Sequence, residues 1–427
     1  MLHSIRWPRA RRLSWRKTLS IGLALFMPAT PVVANPLSLQ KAEAITLRQN
    51  PDLAALAQKV AALRHRAVAV AQLPDPHLSV GSENLPTNSF AMNQQQMSML
   101  SFGLSQTFPP FGKLGLKGQQ VDMQARAVTD SRHAQAAELV LLLRRAWLQA
   151  LAADDAVRIV RQQEQVEGES VQAALARYRA ARAPESDVLR SELAHDGLAN
   201  EIDRLKVTRA TAVAQIARIL NLSKPPSIEH RWPILPRPPT LATLEARLSG
   251  QPLLRAARAE TRAARIGVEA ARRDRLPQIT VSVGYGRDFF PGSPNWVSAS
   301  VGLSLPIFPQ DRQDEEIASA QAQSLQAQYR YDDQRLALER EARAVFARHE
   351  ALKRQLARTD QRLLPTARDA FRATLAAYAA GEAHLNAVLH AQKAVLRYAL
   401  ARLRYRQDLA VSTAELDFLA TKGATQP

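Results

Sequence analysis

The stretch "SFGLSQTFPPFGKLG", Ser101 to Gly115, carries a two-residue alternation that stops at Phe108-Pro109-Pro110. Leu100, Phe102 and Leu104 point to one face of an extended chain, and Ser101, Gly103, Ser105 and Thr107 to the other, because strand side chains alternate. One face is apolar and the other small and polar. After the prolines the period changes: residues 113–180 hold no proline, and Leu139, Leu142, Leu143, Ala146 and Leu151 recur at helical spacing. A continuous helix of that length would reach about 100 Å at ~1.5 Å per residue. Phe108, Pro109 and Pro110, with Phe308 and Pro309 later in the chain, therefore read as hinges between a strand and a long helix.

The strand pattern occurs four times, at about residues 77–84, 98–107, 278–286 and 296–305. In "QITVSVGYG", Ile279, Val281, Val283 and Tyr285 oppose Thr280, Ser282 and Gly284; in "WVSASVGLSL", Val297, Ala299, Val301, Leu303 and Leu305 oppose Ser298, Ser300, Gly302 and Ser304. Solvent-facing positions of soluble strands usually carry charge or Thr, whereas Ser and Gly suit a crowded or water-filled barrel interior beneath a lipid-facing exterior. Strands of about ten residues match the ~9 to 11 that cross a bilayer when tilted. Four strands cannot close a membrane barrel, and open edges are not tolerated in lipid. The chain must oligomerise, two copies supplying eight strands and three copies twelve.

The sequence is also written twice. "YRAARAPESDVL" from Tyr178 aligns with "YAAGEAHLNAVL" from Tyr378, and Phe108-Pro109 with Phe308-Pro309, each at an offset of 200 residues. Asn50-Pro51 pairs with Gln251-Pro252, and Leu73-Pro74 with Leu276-Pro277. Between the copies lies "SKPPSIEHRWPILPRPPT", which no helix or central strand can run through. The expected organisation is a first repeat over 35–222, a Pro-rich linker over 223–240 and a second repeat over 241–427. Each repeat is expected to run helix, strand, loop, strand, long helix, turn, long helix.

Composition agrees with long helices: aromatics are 5% and glycines only 16 of 427 residues. Residues 1–34 have the form of a secretory signal peptide: Arg6, Arg9, Arg11, Arg12, Arg16 and Lys17 precede the short apolar run "LSIGLALFM", and "VVA" precedes Asn35. Removing them lowers the formal charge from +18 to +12. Nucleic acid would be the reflex partner of so basic a chain, but export argues against it, and the Arg residues are scattered among Glu and Gln along helices. Cysteine is absent, which excludes disulfides, Cys-based metal sites, thiol catalysis and lipid attachment through an N-terminal Cys.

No Gly-rich phosphate loop, H-E-x-x-H helix, G-x-S-x-G elbow or calcium loop is present, so the sequence reads as a non-enzyme without a cofactor. Asp154-Asp155 and Glu315-Glu316 are adjacent, point different ways on a helix and make poor acid–base pairs. In "AMNQQQMSML", Met97 and Met99 would share a strand face, a weak soft-metal candidate weighed against flexible filler.

"LPDPHLSVGSENLP", the "FGLSQTFPPFGKLG" strand exit and the two Tyr-led turns resemble the outer-membrane efflux protein (TolC) family, over about Leu39 to Leu419, and most of all its heavy-metal and cation-efflux (CusC/CzcC-like) branch. The resemblance implies a mainly α chain with membrane β structure. Three chains would form a twelve-stranded barrel in the outer membrane above a long α-helical barrel in the periplasm. The homotrimer would dock on a periplasmic adaptor (membrane fusion protein) and an inner-membrane pump of the resistance-nodulation-division (RND) class, conducting cargo passively. By position, the adaptor-contacting tip falls on Arg182, Ala183, Pro184, Glu185 and Ser186, and on Gly381, Glu382, Ala383, His384 and Leu385. The lumen constriction falls on Asp187, Arg190, Ala387 and His390. Relatives often carry Asp where this chain has Ala387 and His390, and Arg182 stands where the second repeat has Gly381. A cationic or pH-sensitive constriction built from Arg190 and His390 follows as an expectation.

Three readings compete: an outer-membrane efflux duct, a periplasmic coiled-coil adaptor or scaffold, and a nucleic-acid-binding coiled coil. The duplicated Ser/Gly-faced strands favour the duct. Heavy-metal cations as cargo rest on the branch resemblance; drugs or other small organic solutes are the alternative.

Overall fold

The computed structural model describes residues 36–421; the signal peptide read at 1–34 lies outside the described residues. Each half opens with two helices rather than the expected one. In the first, α1 (Leu39–Gln49) ends at Asn50 and α2 (Pro51–Val70) begins. Asn50 Oδ1 accepts from the Asp52 and Leu53 amides, at 3.0 and 3.4 Å, while Pro51 takes a first-turn position that needs no amide donor. Asn50 Nδ2 donates to the Ile219 carbonyl, 3.2 Å away, tying the corner to the far end of the same half. The second half repeats the device: α5 (Leu241–Leu248) leads to Gln251, whose side chain accepts from the Leu253 amide at 2.7 Å and caps α6 (Pro252–Arg272).

After each helix pair comes a hairpin, β1 (His77–Glu83) with β2 (Met99–Phe108) and β3 (Gln278–Asp288) with β4 (Trp296–Ser304). A short 3₁₀ turn, Arg273–Arg275, precedes β3. The two hairpins join through β2 and β3 into one antiparallel sheet of order β1-β2-β3-β4. One face carries rows such as Ser79, Gly103, Gly284 and Ser298 directly opposite one another. A Cβ at Gly103 would strike the Ser79 hydroxyl, and one at Gly284 the Ser298 hydroxyl, so the glycines leave room for the serines. The other face carries Leu78, Leu104, Val283 and Ala299, then Val80, Phe102, Tyr285 and Val297. Its large side chains stay exposed, and the outer edges of β1 and β4 have no partner among the described residues.

The prolines end the strands as their chemistry requires. β2 stops at Phe108 ahead of Pro109 and Pro110, and α3 (Lys113–Arg179) then runs 67 residues, about 100 Å. α4 (Glu185–Ile219) returns. The second half differs: π-helical turns at Gln310–Asp314 and Thr359–Leu363 flank α7 (Glu315–Arg358), and α8 (Leu364–Ala380) and α9 (Leu385–Ala420) follow. Pro365 sits in the first turn of α8, where it removes one amide donor and crowds the carbonyl four residues back; the π turn just before it widens the helix at that point.

Each half has its own core. Leu39, Leu143, Trp147, Leu151, Ile216 and Leu220 pack in the first, and Leu244, Leu254, Leu338, Val345 and Leu416 in the second. Val157, Val160 and Ile202, against Leu396 and Leu400, join them.

The Pro-rich segment is more than a spacer. Leu37 and Ile228 form a parallel bridge, and Ile228 and Trp232 pack on the first core. Trp232 Nε1 donates to Asp155 Oδ2 at 2.9 Å, and His230 Nε2 lies 2.9 Å from Asp155 Oδ1. Asp154 faces Arg209, and Arg406 stacks over the Trp232 ring, 4.4 Å from its centroid. The Asp154-Asp155 doublet thus anchors this segment to the helices.

Candidate functional site

Both helical hairpins end in the same backbone motif. In the first, the Ala181 amide donates to the Tyr178 carbonyl and the Arg182 amide to Arg177, both at 2.8 Å. In the second, Gly381 donates to Tyr378 at 3.1 Å and Glu382 to Ala377 at 2.9 Å. These satisfy the last carbonyls of α3 and α8, and the turn needs one left-handed residue. Ala181 takes that position with φ of 55° and Gly381 with φ of 83°. The counterpart of Gly381 is therefore Ala181, not Arg182 as the sequence comparison placed it. Pro184 and His384 then occupy equivalent extended positions ahead of α4 and α9. Arg177 stacks on the Tyr378 ring at 4.4 Å, holding the two turns together.

Of the tip residues, Arg182, Pro184, Glu185, Ser186, Gly381, Glu382 and His384 are exposed, and Ala183 and Ala383 are half-buried. Leu385 is the exception: it is buried at the start of α9, packed inside its hairpin and not offered at the surface. Behind the turns, Arg190 and His390 line one small crevice of about 170 Å³ between α4 and α9, together with Asn386 and Lys393. Arg190 Nη1 lies 4.0 Å from Asp187 Oδ1, and Ala387 and His390 are exposed. The charge around the crevice is net positive. Deeper along α3, Glu167 is only 3% exposed, and one of its carboxylate oxygens has no hydrogen-bond partner. Burial pushes its carboxyl above the ordinary range, partly offset by the neighbouring Gln163 amide and by the charges of Lys393 and His195. Sequence reasoning did not single out Glu167; a Glu at a position facing the helix partners was its one signal.

At the other end, the Met97 and Met99 pairing does not form. Met97 precedes β2 with φ of 69°, and its amide donates to Asp288 Oδ2 at 3.0 Å. Met99 is buried against Gly286, where a side chain would collide with its sulfur. The left-handed backbone at Met97 itself breaks the alternation that the shared face required. The hinge residues bracket the strand ends: Phe108 closes β2, and Phe308 and Pro309 lie between β4 and the π turn. Among the described residues no group of three or more His, Asp or Glu is placed to hold a metal ion, and no helix is long and apolar enough to cross a membrane.

Four strands with an open apolar face, unpaired edges and helices of such length define a class: outer-membrane channels that continue into the periplasm. The chain matches the outer membrane efflux protein family over residues 243–421. It is an efflux channel of the outer membrane, extending into the periplasm. Members of the family are channel proteins, not enzymes, and work as trimeric outer-membrane channels in tripartite efflux systems. The chain is 24% identical over 385 residues to the cobalt-zinc-cadmium resistance protein CzcC of Cupriavidus metallidurans, covering 87% of this chain and 86% of that protein. It is 28% identical to protein CyaE of Bordetella pertussis over about half of each. Among solved structures, a membrane protein from Pseudomonas aeruginosa superposes with a TM-score of 0.80 at 19% identity over 90% of both chains. CusC superposes with a TM-score of 0.75 at 17% identity, over 89% of this chain and 91% of that one. The scaffold and nucleic-acid readings are set aside by the family.

Proposed function

We propose that the protein conducts heavy-metal cations out of the cell as a homotrimer, in series with a periplasmic adaptor and an inner-membrane pump of the RND class. The observation that carries the cargo is the likeness to CzcC along almost the whole of both chains. Three copies bring twelve strands, and pairing β4 of one copy with β1 of the next leaves no open edge in lipid. The turn residues Arg182 to Ser186 and Gly381 to His384, exposed but for the half-buried Ala183 and Ala383, are the adaptor contact. The Arg190–His390 crevice lies just behind them and sets the charge of the narrow end. The chain does no chemistry on its cargo; the pump supplies the work.

The test is the susceptibility of a deletion strain and its complemented parent to copper, silver, zinc, cobalt, cadmium and nickel salts alongside dyes, detergents and antibiotics. Sensitisation to metals alone is expected. Sensitisation to organic compounds alone would keep the channel and overturn its cargo.

A further inference from the structure

Where the strands end, the chain leaves large apolar side chains open and two guanidinium groups unpaired. Two ion pairs knit this level together: Lys113 with Asp274, and Arg275 Nη2 with Asp314 Oδ1 at 2.6 Å. They set the start of α3, the 3₁₀ turn before β3 and the π turn after β4 side by side. Arg273 lies over Gly112, its guanidinium carbon 3.9 Å from where a Cβ would sit, and Gly112 has φ of 79°. Glycine there meets both the backbone and the close approach. The pairs occupy Lys113 and Arg275, whereas Arg273 and Arg312 are exposed and have no acidic partner among the described residues. On the same connections Phe111 is 90% exposed, Phe308 84% and Ile307 71%.

Open aromatic side chains are costly in water, and with cations beside them they are favourable at the boundary between acyl chains and headgroups. That boundary passes through this level, because β2 and β4 leave the bilayer here. The charge also selects the occupant, since cations next to a membrane surface attract anionic lipid. We propose that this collar is a binding site for anionic phospholipid of the periplasmic leaflet. Arg273 and Arg312 contact the phosphodiester, and Phe111, Ile307 and Phe308 sit among the upper acyl carbons. The inference rests on the outer-membrane channel reading and not on the cargo.

The test uses the full-length trimer in proteoliposomes with spin-labelled phosphatidylglycerol or phosphatidylcholine, reading the motionally restricted fraction of each. The wild type is expected to prefer phosphatidylglycerol by roughly threefold, from the attraction of cations near the surface. Arg273→Gln with Arg312→Gln abolishes the preference, Arg273→Lys with Arg312→Lys keeps it, and Phe111→Ser with Phe308→Ser lowers the restricted fraction of both lipids. Equal binding of the two lipids by the wild type, an unchanged preference in the glutamine pair, or its loss in the lysine pair would overturn the proposal. So would its disappearance when inorganic phosphate is added at constant ionic strength, which would mark a site for free anions. Heat-modifiable trimer on gels checks the channel reading separately.

Discussion

Ala181 and Gly381 occupy the same left-handed position in two turns 200 residues apart, and only the glycine does so without strain. The rest of the motif is shared, down to the amide that reaches back five residues. The first turn therefore carries a backbone cost that the second does not.

Exchanging the two residues tests this. Ala181→Gly is expected to gain up to about 1 kcal/mol, and Gly381→Ala to lose about 1 kcal/mol. Nothing lies within 4 Å of a Cβ at Gly381, so the loss there is backbone strain alone. Amide hydrogen exchange across the two turns reports both changes; equal protection in wild type and both variants would remove the argument.

The anchoring of the Pro-rich segment is tested at Asp155. Asp155→Ala leaves the half-buried Trp232 indole donor without its acceptor, a loss of about 1 kcal/mol. Trypsin is expected to cut after Arg231 faster in this variant, and much less so in Asp155→Asn, which retains an acceptor oxygen. Identical cleavage rates for all three proteins would show that other contacts hold the segment.

That anchoring was not legible in the sequence, and the reason is physical. Alternation and helical spacing are local, so the four strands, the hinge at Phe108-Pro109-Pro110 and the length of α3 follow from neighbours in the chain. Asp155 meets His230 and Trp232 across 75 and 77 residues, and no local pattern marks such a partner. The Met97–Met99 face failed for the opposite reason: one left-handed residue, carrying no glycine to announce it, ended the alternation early. Arg182 was misplaced by one residue against the offset of 200, which already sets Ala181 opposite Gly381; the positive φ at both positions fixes that register.

Glu167 gives the α3 end of the tip a pH dependence. Its folded carboxyl titrates above the ordinary value of 4.5, so the folded state holds its proton longer than the unfolded one. The stabilisation is full below 4.5 and is lost as pH rises through the folded value. Hydrogen exchange in α3 around residue 167 should therefore speed up as pH rises through this window, after correction for intrinsic exchange. Glu167→Gln should flatten that slope, and a slope unchanged in the variant would assign it to another group.

The crevice lined by Arg190 and His390 should govern charge selectivity. Arg190→Glu with His390→Glu is expected to shift the reversal potential in a potassium chloride gradient toward cation preference. A potential that does not move would place both side chains away from the conduction path.

The closing of the sheet by neighbouring copies is open to direct test, because the chain carries no native cysteine. Single cysteines placed on β1, at Leu78 or Val80, are combined with single cysteines on β4, at Val297, Ala299 or Val301, and oxidised in outer-membrane fractions. At the pairs brought into register, a twelve-stranded trimer yields covalent dimer and then covalent trimer, with nothing larger. A series that stops at dimer, runs on to longer species, or forms no cross-link at any pair would contradict it.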